Sequence, residues 1–212
     1  MQISVTKRLA EALSALFHPL MLPFWAMFAL VLHGNYAIMG IPYHGRWLLV
    51  GLVLLGTAAM PALFILLMYR LRILKGLQLR DREERSVPIL IGAVFFYLSF
   101  LMLKQQSFAP LFGVYMLGAS LLAIISLFIN FWWKISLHMI AHGALTGAMT
   151  GLALFFGPSF LMLSIGAVLL SGFVGWSRLK LKAHGPEEVY TGFLLGAVFM
   201  LLLFEMLIKP RL

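Results

Sequence analysis

Hydrophobic residues run in long blocks along this chain, and the polar ones are gathered into the gaps between them. Seven blocks are long enough to cross roughly 30 Å of hydrocarbon as helices: residues 12–33, 47–69, 88–103, 109–131, 138–156, 159–176 and 188–207. A backbone crossing lipid must satisfy its own hydrogen bonds, so these blocks predict an all-α polytopic transmembrane helix bundle of about seven helices (six to seven). The size gives a single integral-membrane domain over residues 1–212 and leaves no room for a separate soluble one. The first block follows Lys7 and Arg8, as a secretory signal would. It is too long for one and lacks a small-residue cleavage site, so it is expected to stay as a membrane helix.

Composition sharpens this picture. The 212 residues are 62% hydrophobic and only 11% charged, and the mean hydropathy of +1.00 lies far from that of a soluble domain. The absence of cysteine excludes disulfides and thiolate metal sites. A formal charge of +9 raises the question of nucleic acid, but the basic residues crowd into loops beside the apolar blocks. That placement fits lipid headgroups and phosphate, and no nucleic-acid partner is expected.

Three polar regions hold the candidate chemistry. They read YRLRILKGLQLRDREERSVP (69–88), WWKISLHMIAHGALTGAMTG (132–151) and WSRLKLKAHGPEEVYTGF (176–193). Two blocks separate the first from the second, and two more separate the second from the third. An even number of crossings returns a chain to its starting face, so all three regions are expected on one side of the membrane. Trp132, Trp133 and Trp176 stand beside two of them, as aromatic rings do at a water interface. Arg85 and Arg178 supply permanently charged forks suited to phosphate oxygens. His138 and His184 supply a nucleophile and a proton donor near neutral pH. Glu188 follows His184 by four residues, with Pro186 favourable at a first helical position, and so is placed to orient the imidazole. Two histidines, a carboxylate and arginines on one face describe metal-independent phosphoryl transfer through a phosphohistidine, with no cofactor.

In these residues the chain resembles the type 2 phosphatidic acid phosphatases, or lipid phosphate phosphatases. Their third motif, S-R-x5-H-x3-D, is matched by Ser177, Arg178, His184 and Glu188 with the spacing kept and Asp replaced by Glu. Their second, P-S-G-H, stands here as ISLH, keeping Ser136 and His138, with Leu137 where the family has glycine. Their first, K-x6-R-P, is degenerate. Lys75 and Arg82 have the required separation, and Arg85 is followed by proline only at Pro88. The resemblance implies a phosphatase-like core over about 70–207. It makes His184 the nucleophile, Glu188 its orienting acid and His138 the proton donor. Arg178, Arg85, Ser136, Lys75 and Arg82 become phosphate ligands. The implied substrate is a phosphorylated lipid or polyprenyl pyrophosphate among membrane lipids. The alternative is a weakened or inactive member that binds phosphate-bearing lipids.

Other readings of the same residues compete with these. HMIAH at 138–142 has zinc-ligand spacing, but Met139 stands where the general base of H-E-x-x-H belongs. A magnesium-dependent prenyltransferase needs aspartate-rich motifs, and Asp81 is the only aspartate. A transporter calls for charges within the spans rather than at their mouths. The structural alternatives are His138 at a helix mouth, His142 as a core residue, and 69–88 as a solvated linker in which acids neutralise the arginines. Gly143, Gly147 and Gly151 repeat at four-residue spacing, as do Gly192 and Gly196. Such stripes let helices approach closely.

Lys7, Arg8, Arg70, Arg72, Lys75, Arg80, Arg82, Arg85, Lys134, Arg178, Lys180 and Lys182 share the expected motif face, against Arg46, Lys104, Lys209 and Arg211 opposite. Twelve against four makes the motif face cytoplasmic by the positive-inside rule. The expected location is a bacterial inner (plasma) membrane. Bacterial members of the resembled family often work on the outer face, and the charge count is followed here. Three crossings separate Lys104 from Lys180. Single cysteines introduced at these positions should therefore label with an impermeant thiol reagent from opposite sides of the membrane, and labelling of both from one side would break the scheme.

Overall fold

A computed structural model describes residues 5–33, 41–74, 82–104 and 110–207. Among them the chain forms eight helices and no strand: α1 (Val5–Leu16), α2 (Leu22–His33), α3 (Tyr43–Arg70), α4 (Arg82–Lys104), α5 (Pro110–Asn130), α6 (Leu137–Phe156), α7 (Leu161–Lys180) and α8 (Pro186–Leu207). Six of these, α3 to α8, are long and apolar enough to cross a membrane. They mark an integral membrane protein with an all-α polytopic architecture. Counting α1 and α2 as one bent span gives seven.

The first hydrophobic block, expected as one helix over 12–33, departs most from expectation. The helix starts earlier, at Val5, and stops at Leu16. Pro19 is the cause: the residue before a proline is driven out of the helical region, and His18 is extended at φ −62°, ψ 145°. A short 3₁₀ turn over Pro19–Met21 then leads into α2. The α1 segment is amphipathic. Ala10 and Ser14 are buried, whereas Val5, Leu9 and Leu16 are exposed.

The described chain divides into two compact units, one from Met1–Leu22 with Ile135–Leu212 and the other Pro23–Lys134. In the second unit α4 packs on α5, with Ser120 donating from its hydroxyl to the carbonyl of Ala93 at 2.9 Å. Its α3 widens into a π-type turn at Leu55–Ala59, just ahead of Pro61. That proline lacks an N–H and crowds the carbonyl four residues back, so the altered turn absorbs it.

The first unit is built around α6, buried along most of its length against α7 and α8. Hydroxyls line the α6–α7 seam. Thr146 donates to Ser171 at 3.1 Å, Ser171 donates to the Ala167 carbonyl at 2.7 Å, and Thr150 pairs with Ser164 at 2.8 Å. The α6–α8 seam is made of glycine. A Cβ placed on Gly143 would collide with the backbone of Phe193, one on Gly147 with that of Ala197, and one on Gly196 with that of Ile140. At Gly192 the added atom would sit 2.9 Å from the carbonyl oxygen of Ser136. At these positions the two backbones therefore meet with no side chain between them, which strengthens their dispersion contact. On its far side α8 shows Leu194, Val198, Leu202 and Met206 as an exposed apolar stripe suited to lipid.

Gly143→Ala or Gly196→Ala should destabilise the protein by about 1–3 kcal/mol or more, the range for an overfilled contact. Gly172→Ala, where an added Cβ meets nothing within 4 Å, should be neutral or gain up to about 1 kcal/mol of helix propensity. Thermal unfolding of the three variants in detergent tests the contrast.

Candidate functional site

The third polar region is organised by two helix ends. Ser177 and Arg178 are not in a loop but in the last turn of α7, where cations are favoured by the helix dipole. The helix closes with the Ala183 N–H on the Arg178 carbonyl (3.1 Å) and the Lys182 N–H on the Leu179 carbonyl (3.0 Å). This is a Schellman closure, whose left-handed position usually takes glycine. Here Lys182 occupies it at φ 52°, a conformation that costs a side-chain-bearing residue about 1–2 kcal/mol. The reversal is tight, and it delivers His184 to the start of α8 within four residues of Lys180.

Pro186 opens α8, with Glu187 and Glu188 in its first turn. The Val189 N–H bonds to the Gly185 carbonyl (3.1 Å), so Gly185 is the helix cap. Glu188, three residues on, reaches back to accept from the Gly185 N–H at 3.1 Å. The same oxygen lies 2.7 Å from Nδ1 of His184. A carboxylate only accepts, so Nδ1 is the donor of this bond, which fixes the ring orientation and makes Nε2 the basic nitrogen of the neutral ring. This capping arrangement uses the long Glu or Gln side chain, which has the reach to return to the cap N–H. The His184 side chain is only 2% exposed, against 19% for Glu188.

The second region begins where α6 begins. Ser136 is the N-cap, its N–H donating to the Glu188 carbonyl at 3.3 Å, so the starts of α6 and α8 are joined directly. Its hydroxyl makes no cap bond and, fully buried, has no hydrogen-bond partner. A buried hydroxyl beside the N-terminal amides of a 20-residue helix is a natural place for an anion.

His138, in the first turn of α6, is tied to α1. Its Nε2 lies 3.1 Å from the carbonyl oxygen of Ser14, and its ring meets His18 edge-on at 5.2 Å. A carbonyl only accepts, so Nε2 carries a proton and exchange with any substrate falls to Nδ1. His142 makes the parallel bond from Nε2 to the Phe17 carbonyl at 3.2 Å. Arg178 donates from Nη1 to the Ser14 hydroxyl at 3.2 Å. Ser177 donates to the Ala10 carbonyl at 2.7 Å and lies 2.6 Å from the Ser14 hydroxyl.

The structure thus brings Ser136 to Glu188, Glu188 to His184, and both His138 and Arg178 to Ser14, all within one unit. Arg85 belongs to the other unit, on α4. Lys75 lies outside the described residues, as does the side chain of Arg82. Ser14 and His18 were not anticipated from the sequence. The legible signals are the helix-breaking His18-Pro19 pair and a serine four residues from Ala10 on the buried face of an amphipathic segment.

Glu188→Gln keeps a cap acceptor and should leave stability nearly unchanged, whereas Glu188→Ala should cost about 0.3–1.5 kcal/mol, the worth of a capping feature. Thermal unfolding in detergent separates the two, and an equal loss for both would show that charge rather than capping sets the contribution.

No family model matches this chain, and no curated protein or solved structure matches it.

Proposed function

We propose that the protein is a membrane-embedded lipid phosphate phosphatase, with polyprenyl pyrophosphates in the same substrate class, working through a phosphohistidine without metal. The observation that carries this reading is the His184–Glu188 bond of 2.7 Å, which leaves Nε2 as the basic nitrogen of a histidine held by a carboxylate. Nε2 of His184 attacks phosphorus and the bond from phosphorus to the leaving oxygen breaks. That oxygen takes the proton from Nδ1 of protonated His138, leaving the lipid alcohol or shorter phosphate. Water then attacks the phosphohistidine, the phosphorus–nitrogen bond breaks, inorganic phosphate leaves and the proton of water returns to His138. The buried hydroxyl of Ser136 at the start of α6 supports a phosphate-binding role beside it, together with Arg178. Arg85, Lys75 and Arg82 are assigned to the phosphate by the resemblance of the first motif. A bacterial inner membrane belongs to the same reading, as does a cytoplasmic site face, which follows from the charge count.

A second reading is that the site binds phosphate-bearing lipids without turning them over. The enclosure of the His184 side chain, 2% exposed, favours it. Phosphate release from a panel of lipid phosphates by purified protein in EDTA decides between them. Under the phosphatase reading release proceeds, His184→Ala abolishes it, and His138→Ala slows it by about 10²–10⁴-fold. Glu188→Gln keeps residual rate. Near-normal release by His184→Ala would remove the phosphohistidine mechanism. Background release by the wild type, with lipid phosphate bound, would leave a binding protein.

A further inference from the structure

We propose that Ser14, on α1 and far from the motif residues in sequence, is a positioning residue of the phosphate site: its hydroxyl holds Arg178 while its backbone carbonyl holds His138. The proposal rests on Arg178 and His138 serving phosphate recognition and proton transfer, and it carries a binding readout that is independent of turnover.

The donors and acceptors around Ser14 allow one arrangement. Ser177 must give its proton to the Ala10 carbonyl at 2.7 Å, because a carbonyl has none to give. Its oxygen is then the acceptor for the Ser14 hydroxyl, 2.6 Å away. The Ser14 oxygen, its proton so engaged, accepts from Nη1 of Arg178 at 3.2 Å. The chain runs Arg178 to Ser14 to Ser177 to Ala10, each link directed the same way, and Ser14 and Ser177 are 7% and 0% exposed. Water therefore competes little for these links, and the guanidinium is held in place through Nη1. From the same residue, the Ser14 carbonyl accepts from Nε2 of His138 at 3.1 Å. Two groups with different chemical duties are thus referred to a single backbone position on α1.

The two halves of this hold separate under substitution. Ser14→Ala removes the hydroxyl and keeps the carbonyl, so Arg178 loses its guide and His138 keeps its own. The expected result is a KM for lipid phosphate and an inhibition constant for inorganic phosphate raised about ten- to hundred-fold, the range for losing a hydrogen bond to a charged group, with kcat changed less than about threefold. Ser14→Thr restores the hydroxyl and should recover most of the loss. In an Arg178→Ala background Ser14→Ala should add nothing further, since the residue acts through Arg178. If Ser14→Ala does not fold, Ser14→Cys keeps the size and replaces the hydroxyl by a weak acceptor, and the same shift in KM is expected. Equal effects of Ser14→Ala with and without Arg178, or a fall in kcat at unchanged KM, would overturn the proposal. Should the wild type release no phosphate, the phosphatase reading fails alone. Titration of inorganic phosphate into wild type, Ser14→Ala and Arg178→Ala then tests the positioning role by itself: weaker binding by both variants supports it, and unchanged or absent binding refutes it.

Discussion

Between Gly143 and Gly196 the backbones of α6 and α8 approach so closely that a single added methyl on either would strike main-chain atoms. That contact is the constraint on which the rest of the first unit depends. At these glycines each helix is placed by the backbone of the other rather than by side chains. Because Gly192 sits against the Ser136 carbonyl, the seam ends at the site and sets the starts of two helices side by side. The bond from the Ser136 N–H to the Glu188 carbonyl closes that end. Glycine here is a spacing device, and its helix-propensity cost of about 1 kcal/mol per residue is offset by the contact it permits.

Several site residues also terminate helices. Glu188 caps α8 and orients His184; Arg178 lends its carbonyl to the closure of α7 and its guanidinium to Ser14; Ser136 opens α6. Helix ends carry unsatisfied backbone groups that demand polar partners, so in an apolar chain the polar side chains gather there for structural reasons first. The local electrostatics that serve capping also favour phosphate, with amides at one helix start and cations at another helix end. Under the proposed function, structural and chemical duties fall on the same residues, and in Glu188 on the same oxygen.

What the sequence conveyed depended on how local the signal was. Six apolar blocks declared their helices because a long hydrophobic pattern outweighs any single residue, and their ends moved by at most six positions, the largest shift being the start at Arg82 rather than at 88. The block at 12–33 misled because its hydropathy is continuous while its backbone is not: Pro19 breaks it without changing its apolar character. The His184–Glu188 pair was legible because the two stand four residues apart across a helix start that Pro186 marks. Ser14 was not, since its partner Ser177 lies 163 positions away and nothing in either neighbourhood names the other. The placement of Ser177 and Arg178 on a helix rather than in a loop was hidden by the polarity of the turn that follows them.

The bonds between α1 and α7 have a consequence for the order in which the protein is made. A twelve-residue helix is marginal by itself, and the partners that fix α1 are Ser177, Arg178, His138 and His142, all in the later part of the chain. The whole of the other unit is synthesised between the two. The α1 helix therefore leaves the ribosome well before its permanent neighbours are made, and closing so long a loop is an entropic burden that only those later helices can offset. Until those helices are in place, the carbonyls of Ser14 and Phe17 lack the imidazoles of α6, and that of Ala10 lacks the Ser177 hydroxyl of α7. The α1 helix thus works as a latch engaged only once α6 and α7 have been made, and an assembled site is also a record that translation reached them.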